Sequence, residues 1–276
     1  MKTRRDFLIL SMRSAFLFTA GNKLKPFILP ASGLPSKEEL LLRFAIVSDG
    51  HYGQPNTQYE PNHNAVIAAL NNEYHNRGVD FSFVNGDLIH NDATFLQIVK
   101  QKWDTLHMPY YVSHGNHDQT TEDNWVKTFG HPWHYGFEKN KTGFVVLNTA
   151  TPQGEYVCPD IDKAKTLLEQ YSKNERLFIF MHITPFKWTK GGIDCPELIP
   201  VFQQYNNIKA IFHGHDHDMD DVKENNGRYY FFDAHIAGNW GLPYIGYRIV
   251  ETYKNGDILT YQMNSDTSEQ VNNKRL

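Results

Sequence analysis

Five short polar segments of this 276-residue chain contain side chains that could ligate metal ions or transfer protons. Each follows or ends a run of apolar, strand-forming residues, and together they contain aspartate, histidine and asparagine but no cysteine. The segments are Asp49-Gly50-His51, Gly86-Asp87, Gly115-Asn116-His117-Asp118, His182 and His213-Gly214-His215-Asp216-His217. Because the carboxyl ends of strands in an open α/β sheet line one crevice, we expect these side chains to converge.

The side chains in these segments favour a site for two metal ions. Carboxylate, imidazole and amide ligands without sulfur suit Mn, Fe, Zn or Co rather than Cu(I) or an iron–sulfur cluster. Two such ions held about 3.5–4 Å apart can clamp a phosphoryl group and stabilise the attacking and leaving oxygens together. A pair of ions needs a bridging carboxylate, and Asp87 is our candidate because it directly follows a glycine that permits a sharp turn.

The elements that must position these segments alternate between strands and helices, which is typical of layered α/β proteins. Strands are predicted at 43–48, 81–85, 110–113, 142–148, 177–182, 208–212, 229–233 and 244–252. Helices are predicted at 62–77, 95–105, 160–171 and 196–205. The polar tail after Met263 is expected to fray.

The five segments, in this order, resemble the five ordered blocks of the calcineurin-like metallophosphoesterase superfamily, over about residues 42 to 250. Any one block is common by chance, whereas all five in order, each after a strand, form a specific pattern. The resemblance implies an α/β fold, a four-layer α/β/β/α sandwich with two mixed β-sheets. The layout is most similar to the branch that contains bacterial cyclic-nucleotide phosphodiesterases and related hydrolases of small phosphoesters.

The resemblance also implies two divalent or trivalent ions of Mn, Fe or Zn and assigns a role to each candidate residue. One ion would be held by Asp49, His51, Asp87 and His217. The other would be held by Asp87, Asn116, His182 and His215. His117 would lie beside the phosphate and protonate the leaving oxygen or stabilise charge in the transition state. A metal-bridging hydroxide would be the nucleophile, so no covalent phosphoenzyme is expected.

Two positions depart from the pattern of particular branches. Protein phosphatases of the superfamily carry an aspartate three residues after the bridging one, where it orients the catalytic histidine, and here that residue is His90. Asp92 and Asp118 are therefore our candidates to orient His117, and a protein phosphatase is disfavoured. His51 stands where purple acid phosphatases place another residue, so the iron–tyrosinate chemistry of that branch is not expected.

The segment around Trp240 has two interpretations. His235, Asn239 and Trp240 could line a substrate pocket, with Trp240 stacking on a base or another ring. Alternatively, the segment packs as a loop under the sheet.

Composition limits the substrates that such a site would accept. The net charge is −4, and no run of lysine or arginine occurs in the body of the chain. Nucleic-acid binders usually carry a clustered basic face, so we expect a small phosphoester, a mono- or diester, rather than a nucleic acid. The alternatives are a nuclease of the same superfamily, which would need a basic groove, and a non-catalytic metal-binding interaction module, which usually loses ligands.

Residues 1–35 are predicted to form an export signal and linker, and residues 36–276 the metallophosphoesterase domain. Arg4 and Arg5, followed by a mostly apolar stretch to Ala20, resemble a bacterial twin-arginine signal. The stretch is shorter than the roughly 20 apolar residues of a membrane span, and Arg13 interrupts it. We expect export by the twin-arginine machinery to the periplasm without a stable membrane span, the alternative being a cytoplasmic protein.

The two cysteines do not decide between these compartments. Cys158 and Cys195 could pair in an exported protein or remain free thiols, and the sequence leaves both possibilities open.

Overall fold

The structure, a computed structural model, describes residues 39–276 and, before them, a hairpin of two short antiparallel strands. Apart from this hairpin, the export signal and linker predicted for residues 1–35 lie outside the described residues. Among the residues that the structure describes, none forms a helix with the length and apolarity that a membrane crossing requires.

The described elements comprise fourteen strands and five α-helices. The strands are β1 (Phe16–Thr19), β2 (Leu24–Phe27), β3 (Leu40–Val47), β4 (Phe81–Asn85), β5 (Tyr110–Ser113), β6 (Tyr135–Lys139), β7 (Thr142–Val146), β8 (Arg176–Phe180), β9 (Ile208–His213), β10 (Val222–Asn225), β11 (Arg228–Phe232), β12 (Gly246–Tyr253), β13 (Ile258–Asn264) and β14 (Gln270–Arg275). The helices are α1 (Tyr59–Arg77), α2 (Leu96–Trp103), α3 (Glu122–Phe129), α4 (Ile161–Gln170) and α5 (Leu198–Gln203).

Two mixed sheets of six strands each form the centre of the fold. In the first, the order is β14-β13-β12-β3-β4-β5, with β3, β4 and β5 parallel and the other pairings antiparallel. In the second, the order is β10-β11-β9-β8-β7-β6, with β7, β8, β9 and β11 parallel. The parallel strands of each sheet therefore present their carboxyl ends along a common edge.

The sheets face each other across a core that is rich in phenylalanine, and helices cover their outer faces. Alternation along β3 shows why both faces are buried: Phe44 points into the core between the sheets, whereas Ala45 packs towards the helices. Helices α1, α2 and α3 cover the first sheet, and α4 and α5 cover the second. The predicted four-layer α/β/β/α sandwich is confirmed.

Most predicted elements are present, but the expectation for the tail is wrong. Residues 270–275 form β14, which pairs with β13 at the edge of the first sheet. Its polar side chains still find partners, because Asn272 donates to Asp220 O at 2.8 Å and Lys274 Nζ lies 5.0 Å from the centre of the Tyr229 ring. Helix α3, bounded by the Thr121 N-cap and by Gly130, was not predicted.

Candidate metal centre

The five polar segments meet at one end of the sandwich, beyond the carboxyl ends of β3, β4, β5, β8 and β9. Two groups of three residues each combine a carboxylate with two imidazoles, and within each group the potential ligating atoms lie within 4.8 Å of one another. One group is Asp49, His51 and His217, and the other is Asp87, His182 and His215. The convergence expected from the strand ends is therefore present, with each group combining one carboxylate and two imidazoles.

In the first group, ring nitrogens surround one carboxylate oxygen. Oδ1 of Asp49 lies 3.2 Å from Nε2 of His217 and 3.9 Å from Nε2 of His51. The two imidazole Nε2 atoms are themselves 3.0 Å apart. Three donor atoms of a kind that transition metals accept thus point at one small volume.

In and beside the second group, two buried polar atoms make no hydrogen bond of normal geometry. These are Nε2 of His182 and Oδ1 of Asn116, although burial of such an atom is costly unless something satisfies it. His182 donates through Nδ1 to Asn85 O at 2.7 Å, which leaves Nε2 as a lone-pair donor towards the site. An imidazole nitrogen and an amide oxygen without partners beside a carboxylate fit a metal ion.

Asp87 belongs to the second group and also approaches a histidine of the first. Its Oδ2 is 3.2 Å from Nε2 of His182 and 3.6 Å from Nε2 of His51, one residue from each group. Its Oδ1 accepts the backbone N–H of His117 at 2.7 Å. Asp87 Oδ2 thus lies near one histidine of each group, and its role as the shared ligand stays a prediction.

The charges of the cluster favour the binding of a proton or a cation. Burial would raise the pKa of Asp49 and Asp87, but the neighbouring histidines hold the pKa of both carboxyls well below the usual range. Burial would lower the pKa of His182, but Asp87 and Asp49 outweigh it and raise that pKa to about 10. Two ionised carboxylates in a buried pocket thus attract a proton, and a metal cation would serve the same purpose.

Four of the ten non-glycine residues with positive φ in the described part of the chain lie in these segments. Asp49, His51, Asp87 and His215 adopt φ values of 58°, 41°, 52° and 69°. Such left-handed conformations cost non-glycine residues about 1–3 kcal/mol each, and they occur in tight turns and at functional sites. The fold therefore uses strained turns to aim these side chains inward.

His117 lies at the mouth of the cluster and is held by Asn91. Its Nδ1 lies 2.7 Å from Asn91 Oδ1, and its carbonyl accepts the backbone N–H of Asn91 at 2.9 Å. The prediction that Asp92 or Asp118 orients His117 is wrong. Asp92 instead caps a short 3₁₀ turn, where its Oδ1 accepts the backbone N–H of Thr94. Asn91 was not predicted from the sequence, because no family motif considered includes an asparagine at this position.

Asp118 binds the backbone of two loops rather than the side chain of His117. Its two carboxylate oxygens accept the backbone N–H groups of Ile89 and Gly115 at 2.9 Å each. Burial raises the pKa of this carboxyl to about 8, with Asp87 adding to the effect. Asp118 thus joins the loops that follow β4 and β5, and its assignment to the catalytic set is not supported by this geometry.

His90 lies beside both His51 and His117. Its Nδ1 is 3.1 Å from Nδ1 of His51, and its ring stacks on that of His117 with centroids 4.7 Å apart. The residue at the position of the protein-phosphatase aspartate therefore packs against two candidate site residues without supplying a carboxylate.

An open cleft of about 940 Å³ extends from the metal-ligand cluster to the surface. Of the three residues considered around Trp240, Trp240 itself lines the cleft, whereas both ring nitrogens of His235 contact backbone carbonyls. Tyr156 and residues 188–191 line it as well. They were not predicted, because irregular loops have no periodic pattern in the sequence. Cys158 and Cys195 form a disulfide and are not free thiols.

Residues 42–219 match the family model for calcineurin-like phosphoesterases. No curated protein matches the sequence. Among solved structures, the chain is similar to a dimetal phosphatase from Danio rerio, with 11% identity, a TM-score of 0.70, and coverage of 86% of this chain and 99% of that one.

Two further structures share the fold. GAP50, the anchor in the inner membrane complex of Plasmodium, has 15% identity, a TM-score of 0.63, and coverage of 86% of this chain and 89% of that one. Purple acid phosphatase PPD1 from yellow lupin has 14% identity, a TM-score of 0.63, and coverage of 92% and 56%, respectively. At such identities the likeness shows the fold alone.

Proposed function

Since the chain belongs to the calcineurin-like phosphoesterase family, we propose that it hydrolyses small phosphate mono- or diesters at a centre of two metal ions. The observation that carries this proposal is that Asp87, in one group of candidate ligands, also approaches His51 in the other. A shared carboxylate is what a pair of closely spaced ions requires.

The two ions, when bound, would supply Lewis-acid activation of water and of the phosphoryl group. Asp49, His51 and His217 would hold one, His182, His215 and Asn116 the other, with Asp87 common to both. Asn91 accepts a hydrogen bond from Nδ1 of His117, which leaves Nε2 to face the site. His117 would give a proton from Nε2 to the leaving oxygen when it is doubly protonated, with Nδ1–H still held by Asn91.

The charges that line the cleft favour a small substrate over a nucleic acid. Apart from the candidate ligands and His117, the charged residues of its lining are Lys190, Asp216 and Asp218. One cation beside two anions does not form the basic groove that a phosphate backbone needs. This supports a small ester and weighs against the nuclease alternative.

The experiment uses the purified full-length chain, stripped with a chelator and reloaded with Mn²⁺, Fe²⁺ or Zn²⁺ in turn. Turnover of p-nitrophenyl phosphate and bis(p-nitrophenyl) phosphate is measured, with His117→Ala as the test variant and His75→Ala, at a solvent-exposed histidine, as the control. We expect metal-restored turnover that His117→Ala lowers by about 10²–10⁴-fold and His75→Ala leaves unchanged. Absence of turnover with two ions bound would favour the non-catalytic binding module instead.

We also propose that the protein is exported by the twin-arginine machinery and acts in the periplasm. The Cys158–Cys195 disulfide supports this, because disulfides persist in oxidising compartments. Expression in a bacterium with the native N-terminus, followed by fractionation, tests it. We expect periplasmic protein from the unaltered chain and cytoplasmic retention when Arg4 and Arg5 are both changed to Lys, whereas retention of both forms would contradict export.

A further inference from the structure

The cleft is larger than a phosphoryl group requires, and its outer part presents aromatic rings. Its volume of about 940 Å³ would enclose a small organic ester together with its phosphate. Among residues 39–276, three tyrosine or tryptophan side chains and no phenylalanine are exposed: Tyr74, Tyr156 and Trp240. Two of the three, Tyr156 and Trp240, line this cleft.

The two rings flank the histidines of the His-x-His segment. Trp240 is 52% exposed and stacks on His217, with ring centroids 4.5 Å apart and an angle of 3° between the planes. Tyr156 is 46% exposed and stands edge-on to His215, with centroids 4.9 Å apart and an angle of 88°. Each ring therefore contacts a histidine of a different ligand group, and both rings line the cleft that leads to the metal-ligand cluster.

The wall that carries Tyr156 is fixed by a covalent link. The Cys158–Cys195 disulfide joins the loop of Tyr156 to the loop of Trp188 and Lys190, and both loops line the cleft. Thr189 on the second loop also donates to Asp216 Oδ2 at 3.0 Å, which attaches that loop to the His-x-His segment. A wall held in this way loses little freedom when a ligand binds, so exposed rings on it are suited to recognition.

We propose that Tyr156 and Trp240 form a subsite for a planar ring in the group esterified to the phosphate. This inference rests on the proposed function, since it places the phosphate of the same ligand at the metal centre. A flat ring stacks on exposed indole and phenol faces, whereas a saturated ring of similar size gains only the burial of apolar surface. Substrates of this class are phosphoesters of aryl, arylmethyl or heteroaromatic alcohols.

The test measures binding of three non-hydrolysable phosphonates to the metal-loaded, full-length protein by isothermal titration calorimetry. Methylphosphonate reports the phosphate position, benzylphosphonate adds a planar ring, and cyclohexylmethylphosphonate adds a saturated ring of at least equal apolarity. We expect benzylphosphonate to bind about tenfold more tightly than cyclohexylmethylphosphonate, within the usual range of aromatic stacking. Equal binding of the two ring ligands would overturn the inference.

Matched variants locate the preference. Trp240→Leu and Tyr156→Leu should each reduce the preference for the planar ring, Trp240→Phe should preserve most of it, and Tyr74→Leu, at the exposed ring outside the cleft, should preserve all of it. The metal content of each variant is measured in parallel, because Trp240 packs on His217. A preference that survives both leucine substitutions with metals bound would place the ring elsewhere and refute the subsite.

Methylphosphonate separates the two proposals. If it fails to bind the metal-loaded protein, the proposed function fails, and the subsite fails with it. If it binds but the planar ring adds no affinity, the inference alone is refuted and the phosphoesterase proposal stands.

Discussion

His117 is positioned by Asn91 through a side-chain and a backbone contact, while Asp87 accepts its backbone N–H. An amide at this place fixes the imidazole tautomer without the negative charge that a carboxylate would add. Asn91 can contact His117 twice because its own backbone is left-handed, with φ of 61°. A single strained residue thus determines the direction in which His117 Nε2 faces.

Replacement of Asn91 by glycine should lower kcat by about 10- to 100-fold with little change in KM or metal content. Glycine adopts the left-handed conformation without strain, so the change removes only the side-chain contact with His117. Asn91→Asp, which keeps an acceptor at the same place, should restore much of the loss. Asn56→Gly is the matched control, because Asn56 is exposed and has φ of 60°; steady-state kinetics that show equal loss in both glycine variants would contradict a positioning role.

Among the elements, the turns after the strands determine how closely the loops approach one another. Gly115 lies against the backbone N and the carboxylate of Asp87, so a Cβ atom there would clash with the shared ligand. Gly214 is packed in the same way against the side chain of Ser48, with Asp49 Oδ2 2.7 Å from the position of a Cβ atom. Glycine is therefore required at both positions because the space between the loops does not admit a Cβ atom.

Gly115→Ala should therefore displace Asp87 and abolish metal-dependent turnover. Gly130→Ala is the control: Gly130 ends α3 with φ of 83°, and nothing lies within 4 Å of its Cβ position. The control should lose about 1–2 kcal/mol of unfolding free energy through backbone strain and retain its activity. Urea denaturation and turnover assays check both variants. Full activity of Gly115→Ala would show that the loops can accept a Cβ atom at residue 115 and would contradict the prediction.

The elements also show what the sequence predicted and what it could not. Strands β3, β4 and β8 have apolar residues on both faces, so their ends, and the ligand-bearing turns after them, were predicted. Strand β14 was missed because an edge strand with polar side chains has little periodicity. Asn91 and Tyr156 were missed because the contacts of irregular loops depend on their three-dimensional course, which residue types do not encode locally.

For the whole molecule, the buried charges of the metal centre couple ion binding to folding. Without ions, two ionised carboxylates and a histidine with raised pKa share one pocket. Ions that bind only the folded chain stabilise it by mass action, by about 2.7 kcal/mol at a concentration of 100 Kd. Stability and activity should therefore respond together to metal removal.

Chelation should lower the thermal unfolding midpoint by roughly 5–10 °C relative to the metal-loaded protein at 100 Kd, given the usual response of chains of this size. Differential scanning calorimetry measures the shift. Asp123→Asn, an exposed change on α3, should show the same shift as the unaltered chain. An unfolding midpoint that does not depend on the ions would contradict metal binding by the candidate ligands.

Acid should destabilise the fold through buried neutral histidines, of which His63 is one. Burial lowers the pKa of His63 from 6.5 to about 4, so between these values the unfolded chain binds a proton that the folded chain does not. Stability is then lost as the pH falls from 6.5 to 4, at about 1.4 kcal/mol per pH unit for this residue. Urea unfolding of the metal-free protein at several pH values should show that the unfolding free energy depends less steeply on pH in His63→Leu. An unchanged pH dependence would contradict the contribution assigned to His63.

The most direct test of the metal centre counts ions in the unaltered chain and in Asp87→Asn. Both are dialysed against Mn²⁺ or Zn²⁺, their metal content is measured by mass spectrometry, and the same samples are assayed for ester hydrolysis. We predict two ions per unaltered chain, weakened binding of both ions in Asp87→Asn, and hydrolysis reduced at least about 10³-fold. An unaltered chain that binds fewer than two ions, or an Asp87→Asn variant that keeps both ions and full turnover, would contradict a shared carboxylate at a two-metal centre.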